Sequence, residues 1–292
     1  MMRALNSEIG MAEGMVLALG AMVFYGLADW VYKRAAASGV QAHHFLVLQA
    51  QFFAPSIFLY GFATDTLVLG APFAWGMTAG VLIFVASYNF ARSLAGGAVS
   101  IVAPVFRLSF AITAALAVWL LDERLTPWKL AGLAASLAAV WLLLAGGTAS
   151  APRIGKAAVL QVLVATAAMG IVSFIYKLGA LAGGSPATVL AGQASVFFPL
   201  ATLFAYLRDR GFHPPPGAWR HGAAAAVLLL FGLIMLLAGL ARGEASVLVP
   251  VAQMSFVVTS GLGFVFLREA LTLRKGFGLA LAIAALGCLA RS

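Results

Sequence analysis

The chain has 292 residues, of which 63% are hydrophobic and 9% are charged, and its mean hydropathy is +1.03. This composition excludes an ordinary soluble globular domain and is typical of a helical membrane protein. The formal net charge of +9 does not indicate nucleic-acid binding, because Lys and Arg occur singly or in short groups at the ends of apolar stretches, as they do beside membrane helices.

Ten apolar stretches follow one another along the chain, and each is long enough to cross a hydrocarbon core of about 30 Å as an α-helix. Glycine pairs, prolines and charged residues separate them. Their continuous content of Ala, Leu and Gly lacks the alternation of a membrane β-barrel. We therefore predict an all-α membrane protein with ten transmembrane helices, at about residues 14–34, 42–62, 71–93, 98–121, 127–146, 156–178, 186–206, 219–241, 245–267 and 272–290.

The second half of the chain repeats the first. One constant shift aligns the fourth and fifth apolar stretches with the ninth and tenth, and a slightly shorter shift aligns the end of the first with the end of the sixth. Agreement this dense is improbable by chance and indicates a duplication. The matched positions include Pro104 with Pro250, Glu123 with Glu269, and Tyr32-Lys33 with Tyr176-Lys177.

The duplication predicts two five-helix repeats, in residues 1–147 and 148–292. Because five is an odd number, the first repeat ends on the face opposite to the one where it began, and the second repeat must be inverted. Inverted repeats provide two nearly equivalent open states, with a substrate site between the halves near the middle of the membrane. The pattern therefore favours a transporter of small solutes over a duplicated helical bundle without transport activity.

The fourth and ninth predicted helices end in similar segments. Residues 120–126 read Leu-Leu-Asp-Glu-Arg-Leu-Thr, and residues 266–272 read Phe-Leu-Arg-Glu-Ala-Leu-Thr. These segments resemble the signature of EamA-like proteins of the drug/metabolite transporter superfamily. The resemblance covers nearly the whole chain and implies the same ten-helix architecture. Within that superfamily, the chain is similar to bacterial exporters of aromatic amino acids.

The resemblance implies a secondary transporter in the bacterial inner membrane, exporting aromatic amino acids and similar amphipathic metabolites by alternating access. We expect a monomer or a weak homo-oligomer in the lipid bilayer, with no cofactor. Three alternatives stay open: a transporter of another metabolite or drug class, an intramembrane enzyme, and a scaffold or a channel. Against the enzyme, the sequence has no H-E-x-x-H motif or paired aspartates within a span, and it has no phosphate-binding G-x-x-x-x-G-K-[ST] motif for ATP.

Pro104 and Pro250 occupy equivalent places in the fourth and ninth predicted helices. Each removes a backbone hydrogen bond and predicts a kinked or broken helix. In lipid the freed carbonyl groups need partners, so paired breaks point to a cavity. We therefore predict that the two prolines are hinges, the alternative being a packing kink.

Arg107 lies one turn after Pro104 and too deep in its helix to reach the membrane surface easily. A buried guanidinium is costly in lipid, so it must face a wet cavity or a partner. Its planar donors suit a substrate carboxylate. We predict a binding site formed by Arg107, its repeat counterpart Gln253, and Asp29 as the carboxylate for a substrate ammonium group. Two alternatives are an internal pair of Arg107 with Asp29, and an interfacial pair of Asp29 with Lys33.

Aromatic and polar residues beside these groups complete the predicted site, because an aromatic pocket with a few amides and hydroxyls suits a solute of amino-acid size. Helix packing is the alternative for each of them. The predicted residues are Trp30, Tyr88, Asn89, Phe106, Phe110, Phe174, Tyr176, Gln193, Ser255 and Phe256.

We predict no metal site, because His43 and His44 begin the second helix while His213 and His221 lie in a loop, and no helical ligand spacing results. We expect Lys177 to extend to the membrane surface. Glu123 and Glu269, at helix ends beside arginines, are predicted to have structural roles.

The orientation of the termini stays open. Lys and Arg residues are fewer on the side of the termini than on the opposite side, which by the positive-inside rule places the termini outside the cytoplasm. The family resemblance implies cytoplasmic termini instead.

Overall fold

The structure, a computed structural model, describes residues 2–96, 102, 105–144, 155–211, 213–267 and 272–292. These residues form α-helices joined by short loops, and a helical turn at residues 105–107 precedes the fourth helix. The helices are α1 Met2–Ala37, α2 Ala42–Ala63, α3 Ala71–Gly96, α4 Ser109–Leu120, α5 Pro127–Leu144, α6 Lys156–Leu181, α7 Pro186–Asp209, α8 Ala218–Leu240, α9 Ala245–Gln253, α10 Phe256–Leu267 and α11 Leu273–Leu289.

The first helix of each repeat ends in the same way. Gly39, after α1, and Gly183, after α6, have φ angles of +82° and +79°, in the left-handed region that glycine adopts without steric cost. Their N–H groups donate to Ala36 O (3.1 Å) and Ala180 O (3.0 Å) respectively. The repeat seen in the sequence therefore extends to the backbone conformation of a helix terminus.

Within the described residues, seven helical segments are long and apolar enough to cross a membrane: Ile9–Ala37, Ala42–Ala63, Ala71–Ser93, Lys156–Leu181, Pro186–Asp209, Ala218–Leu240 and Ala245–Leu262. Two further apolar segments, Val105–Leu120 and Pro127–Leu143, are shorter. The α11 helix has 17 residues, which at about 1.5 Å per residue gives about 25 Å, less than a typical hydrocarbon core. The predicted count of ten spanning helices is therefore confirmed only for seven, while the chain is a multi-pass helical membrane protein as predicted.

The helices of the two repeats pack against each other in reciprocal pairs. Helix α1 packs against α8, and its counterpart α6 packs against α3, the counterpart of α8. Likewise α2 contacts α8 while α7 contacts α3, and α1 contacts α9 and α10 while α6 contacts α4. The pairs α2–α7, α4–α9 and α5–α11 each join an element to its own counterpart. The interface between the repeats therefore has approximate twofold symmetry.

Close contacts at glycines fix the direction of several pairs. Helix α1 runs antiparallel to α8, because Gly14 approaches Gly239 while Gly232 approaches Tyr25. Helix α3 runs parallel to α7, because Gly76 approaches Val189 O, at 2.0 Å from an added Cβ atom, while Gly80 approaches Gln193 O, at 2.6 Å. Small residues permit such close approach, which in lipid supplies much of the packing energy between helices.

Two glycine contacts are themselves repeated. A Cβ atom on Gly26 of α1 would lie 2.9 Å from Ser255 O, and one on Gly170 of α6 would lie 2.8 Å from Ser109 O. At both junctions a threonine reaches across: Thr259 Oγ1 donates to Gly26 O (3.1 Å), and Thr113 Oγ1 donates to Gly170 O (2.8 Å). The first helix of each repeat is therefore held against the fourth segment of the other repeat by the same glycine contact and the same threonine hydrogen bond.

Glu123, just after α4, caps the start of α9. Its two carboxylate oxygens accept hydrogen bonds from Ala245 N (2.8 Å) and Ser246 N (2.9 Å), two of the N–H groups that a helix start leaves unpaired. This is the structural role predicted for Glu123. Glu269 lies outside the described residues.

We predict that Gly76→Ala lowers the midpoint of thermal unfolding in detergent, because the new methyl group would overlap Val189 O and force α3 away from α7. Overpacking of this kind costs about 1–3 kcal/mol. The matched control is Gly287→Ala in α11, where nothing lies within 4 Å of the new Cβ atom. That variant should unfold at or slightly above the wild-type midpoint, and an equal loss in both variants would contradict the packing argument.

Candidate functional site

The fourth and ninth apolar segments are both interrupted, at equivalent positions. Helix α4 begins at Ser109 after a turn at Leu108, while α9 ends at Gln253 and α10 begins at Phe256. The interruption in the ninth segment confirms the predicted break, although it lies one turn after Pro250 rather than at the proline. Pro104 lies outside the described residues.

Polar partners satisfy the backbone beside the break before α4. Val105 O accepts hydrogen bonds from Leu108 N (3.1 Å) and from Thr166 Oγ1 of α6 (3.1 Å). A carbonyl group released from regular helix would otherwise cost several kcal/mol in hydrocarbon. The break before α4 is therefore stabilised by a hydrogen bond from the other repeat.

Four predicted residues meet at these two breaks, and we refer to Asp29, Arg107, Gln253 and Ser255 as the Arg107 cluster. Arg107 Nη2 donates to Asp29 Oδ2 at 2.6 Å, and Arg107 Nη1 lies 3.3 Å from Ser255 Oγ and 3.4 Å from Gln253 Oε1. Ser255 Oγ donates to Asp29 Oδ2 at 2.9 Å. The cluster thus connects α1 and the start of the fourth segment to the break between α9 and α10.

The internal pairing of Arg107 with Asp29, an alternative in the sequence analysis, is what the structure shows. The side chains are 23% and 27% exposed, so both charges lie mostly within the protein. In a low-dielectric environment each would be costly alone, and the pair neutralises both. The cluster is therefore net neutral while offering a cation, an anion, an amide and a hydroxyl within one hydrogen-bonded group.

The repeat symmetry does not extend to the chemistry of the cluster. The counterpart of Asp29 is Ser173, whose Oγ donates to Met169 O (3.3 Å) within its own helix. The counterpart of Arg107 is Gln253. Both charged groups therefore come from the first repeat, while the second repeat supplies neutral hydrogen-bonding groups.

A second pair of predicted residues forms a separate, repeated contact. Tyr176 OH hydrogen-bonds Gln193 Oε1, and both side chains are buried. At the equivalent positions of the first repeat, Tyr32 OH hydrogen-bonds Gln49 Oε1. Gln49 was not predicted, although the shift that aligns Tyr32 with Tyr176 also aligns Gln49 of the second helix with Gln193 of the seventh.

For the remaining predicted residues, the structure shows hydrogen bonds, ring contacts or burial outside the hydrogen-bonded group of the Arg107 cluster. Tyr88 OH accepts from Arg92 Nη1 (2.7 Å), and Asn89 Nδ2 donates to Val85 O (2.9 Å). The aromatic side chains are either buried in the core or packed against another ring at a tilted angle: Phe110, Phe174 and Phe256 are buried, Phe106 packs on Phe90, and Trp30 packs on Phe266.

One polar cluster was missed by the sequence analysis. His43 and His44 of α2 both contact Asp209 at the end of α7, whereas His213 and His221 take no part. No ligand spacing along a single helix reveals this cluster, because Asp209 is distant in sequence from the histidines. Only the pairing of α2 with α7 brings the three residues together.

A cavity of about 810 Å³ opens near the C-terminus of the chain, and most of its charged lining is basic. Lys177 lines it but does not extend outward as predicted: it is 8% exposed, and its Nζ donates to Leu240 O (2.7 Å) and Gly243 O (2.6 Å) at the end of α8. The other charged lining residues are Arg124, Lys129, Arg242, Glu244 and Arg291.

The fold is that of a multi-pass helical membrane protein with a polar cluster between its two repeats. A family model, described as the EamA-like transporter family, matches the chain twice, over residues 12–145 and 156–291. The chain belongs to this family of membrane transporters of the drug/metabolite superfamily. No curated protein sequence matches it significantly. One crystal structure, 18% identical, has a TM-score of 0.80 over 95% of this chain and 96% of that one, which shows a shared fold.

We predict that Arg107→Gln and Asp29→Asn each lower the thermal unfolding midpoint, by the equivalent of about 2 kcal/mol, because each leaves a charged partner without its hydrogen bond. The double variant should lose less than the sum of the two, since the second substitution removes the stranded charge. The control is Arg274→Gln, whose guanidinium is exposed and contacts only Trp141 O at 3.3 Å among the described residues. Strictly additive losses would argue against an energetic link between Arg107 and Asp29.

Proposed function

We propose that this transporter exports aromatic amino acids and similar small amphipathic metabolites by alternating access, with the Arg107 cluster as the substrate-binding centre. The observation that carries the proposal is the ion pair between Arg107 Nη2 and Asp29 Oδ2, which are 2.6 Å apart and lie at the equivalent helix breaks of the two repeats. Broken helices at a repeat interface are where transporters of this kind place their substrates.

The charge of the cluster favours a zwitterion. The carboxylate of an amino acid would bind the Arg107 guanidinium, and its ammonium group would bind Asp29, so the substrate replaces one internal ion pair by two external ones. No net charge enters the membrane interior. A simple anion or cation would leave one member of the pair uncompensated, at a cost of several kcal/mol.

Gln253 and Ser255 orient the substrate in this proposal. They lie beside the Arg107 Nη1 atom, on the side that the second repeat contributes. When the two repeats change their relative position, these neutral groups move against the charged pair of the first repeat. The affinity for a bound amino acid then differs between the two states, as alternating access requires.

Ten transmembrane helices in two inverted repeats, residues 1–147 and 148–292, are part of the proposal. The reciprocal pairing of the helices supports it, as do the antiparallel direction of α1 and α8 and the parallel direction of α3 and α7. We assign Pro104 and Pro250 as hinges. The proposed location is the bacterial inner membrane, and the proposed state is a monomer or a weak homo-oligomer.

We predict saturable uptake of labelled phenylalanine into liposomes that contain the purified protein, with competition by tryptophan and tyrosine. Arg107→Gln and Asp29→Asn should each reduce the flux at low substrate concentration about tenfold or more, since loss of one charged contact costs at least about 1.4 kcal/mol. Arg274→Gln should transport like the wild type. Unchanged flux in both cluster variants would remove the site assignment.

The substrate class is tested with the same liposomes. Saturable flux of another metabolite class, with no competition by aromatic amino acids, would favour the alternative that this family member carries a different substrate.

We also predict that Arg107→Lys restores little of the flux lost in Arg107→Gln. Arg107 contacts Asp29 through Nη2 while Nη1 lies beside Ser255 and Gln253, and one ammonium group cannot occupy both positions. The ratio of the two fluxes, measured at equal protein content, checks this. Full activity of the lysine variant would show that a positive charge suffices and that the two-armed geometry is irrelevant.

A further inference from the structure

Two adjacent histidines converge on one carboxylate oxygen at the contact between α2 and α7. His43 Nε2 lies 2.9 Å from Asp209 Oδ2, and His44 Nε2 lies 2.6 Å from the same atom. The histidines are 7% and 6% exposed, and the three ligand atoms lie within 4.8 Å of one another. We refer to these three residues as the His43 cluster.

The fold itself does not require this cluster. At the other end of the α2–α7 pair the repeat counterparts of the histidines are Ala187 and Thr188, and the counterpart of Asp209 is Asp65. There, Thr188 Oγ1 donates to Thr66 O at 2.8 Å, and Asp65 is exposed. The equivalent end of the α2–α7 pair therefore forms without histidines. Packing of the two helices does not require imidazoles, so the histidine pair gives its end a chemical property that the other end lacks.

Two imidazole nitrogens and one carboxylate oxygen are a ligand set that Zn²⁺ and neighbouring divalent transition metals bind. We propose that the His43 cluster is a binding site for such an ion, coordinated by His43 Nε2, His44 Nε2 and an oxygen of Asp209. Binding requires Nε2 of each imidazole to be unprotonated, so the single proton of each neutral ring would lie on Nδ1 and no proton need be released. Metal–nitrogen distances of about 2.0–2.1 Å need only a small separation of groups that already point at one another.

A cavity beside the His43 cluster leaves room for a fourth metal ligand, which the three side chains do not provide. The cavity, of about 170 Å³, borders His43, and its polar lining consists of Gln41, Ser87, Tyr88, Arg92 and Arg208, the remainder being apolar. The open coordination position can take water or an anion from this cavity, and the two arginines favour an anion. The excess positive charge of a bound dication beside Arg208 is thereby reduced.

The position of the ion gives it a mechanical consequence. Helix α2 belongs to the first repeat and α7 to the second, so the ion would join the two repeats at one end of their interface. Under the proposed alternating access the repeats move relative to each other, and a bound ion would hold one state. This consequence rests on the proposed function, whereas metal binding itself does not.

The test uses the full-length protein, purified with a tag that contains no histidine, and Zn²⁺ as the probe. Bound metal is measured by elemental analysis after dialysis, and affinity by titration of Co²⁺, whose absorption spectrum reports imidazole coordination. We expect one ion per chain. His43→Gln, His44→Gln and Asp209→Asn should each weaken binding about 100-fold or more, since even loss of an outer-shell partner costs 10–100-fold. Glutamine and asparagine keep hydrogen-bonding groups at these positions.

The matched controls are the double substitution His213→Gln with His221→Gln, and Asp65→Asn at the repeat counterpart, all of which should leave binding unchanged. As a second readout, Zn²⁺ should raise the unfolding midpoint of the wild type and of the controls but not of the cluster variants. The proposal is overturned if the wild type binds no ion, if the cluster variants bind as the wild type does, or if the control histidines carry the binding. Inhibition of phenylalanine flux by Zn²⁺ would test the mechanical consequence separately.

Discussion

The absence of water in the hydrocarbon core constrains every polar group of this protein. A backbone or side-chain group that leaves regular helix must find a partner within the protein. The two interruptions in the fourth and ninth segments therefore concentrate polar contacts: Thr166 bonds to Val105 O, and Arg107 pairs with Asp29. The same constraint that makes a broken helix costly makes its site the place where a polar solute can be bound.

The close packing around these breaks depends on small residues at repeated positions. Gly26 and Gly170 let a neighbouring backbone approach within van der Waals contact, and Thr259 and Thr113 bridge the two junctions. Because no hydrophobic force drives helices together in lipid, such fitted contacts and the hydrogen bonds beside them hold the repeats in place.

Chemical asymmetry between the repeats separates the scaffold from its function. The glycine, threonine and tyrosine–glutamine contacts occur twice, as a duplicated scaffold requires. The charged pair of the Arg107 cluster and the histidines that contact Asp209 occur once, with Ser173, Gln253 and Ala187 among their counterparts. The polar groups that occur in only one repeat are therefore the positions where this chain differs from a purely structural helical bundle.

The sequence by itself determined the membrane setting, the helices and the repeat, because hydropathy and periodic identity depend only on the order of residues. It also indicated Arg107, Asp29, Gln253 and Ser255, since a deep arginine demands polar neighbours. Only the tertiary structure decided which candidates meet. Tyr88 and Trp30 turned out to contact other groups, and Asp209 reached His43 and His44 through a helix pairing that no local pattern encodes. Contacts between helices distant in sequence depend on packing of whole faces, and a single sequence does not specify those faces.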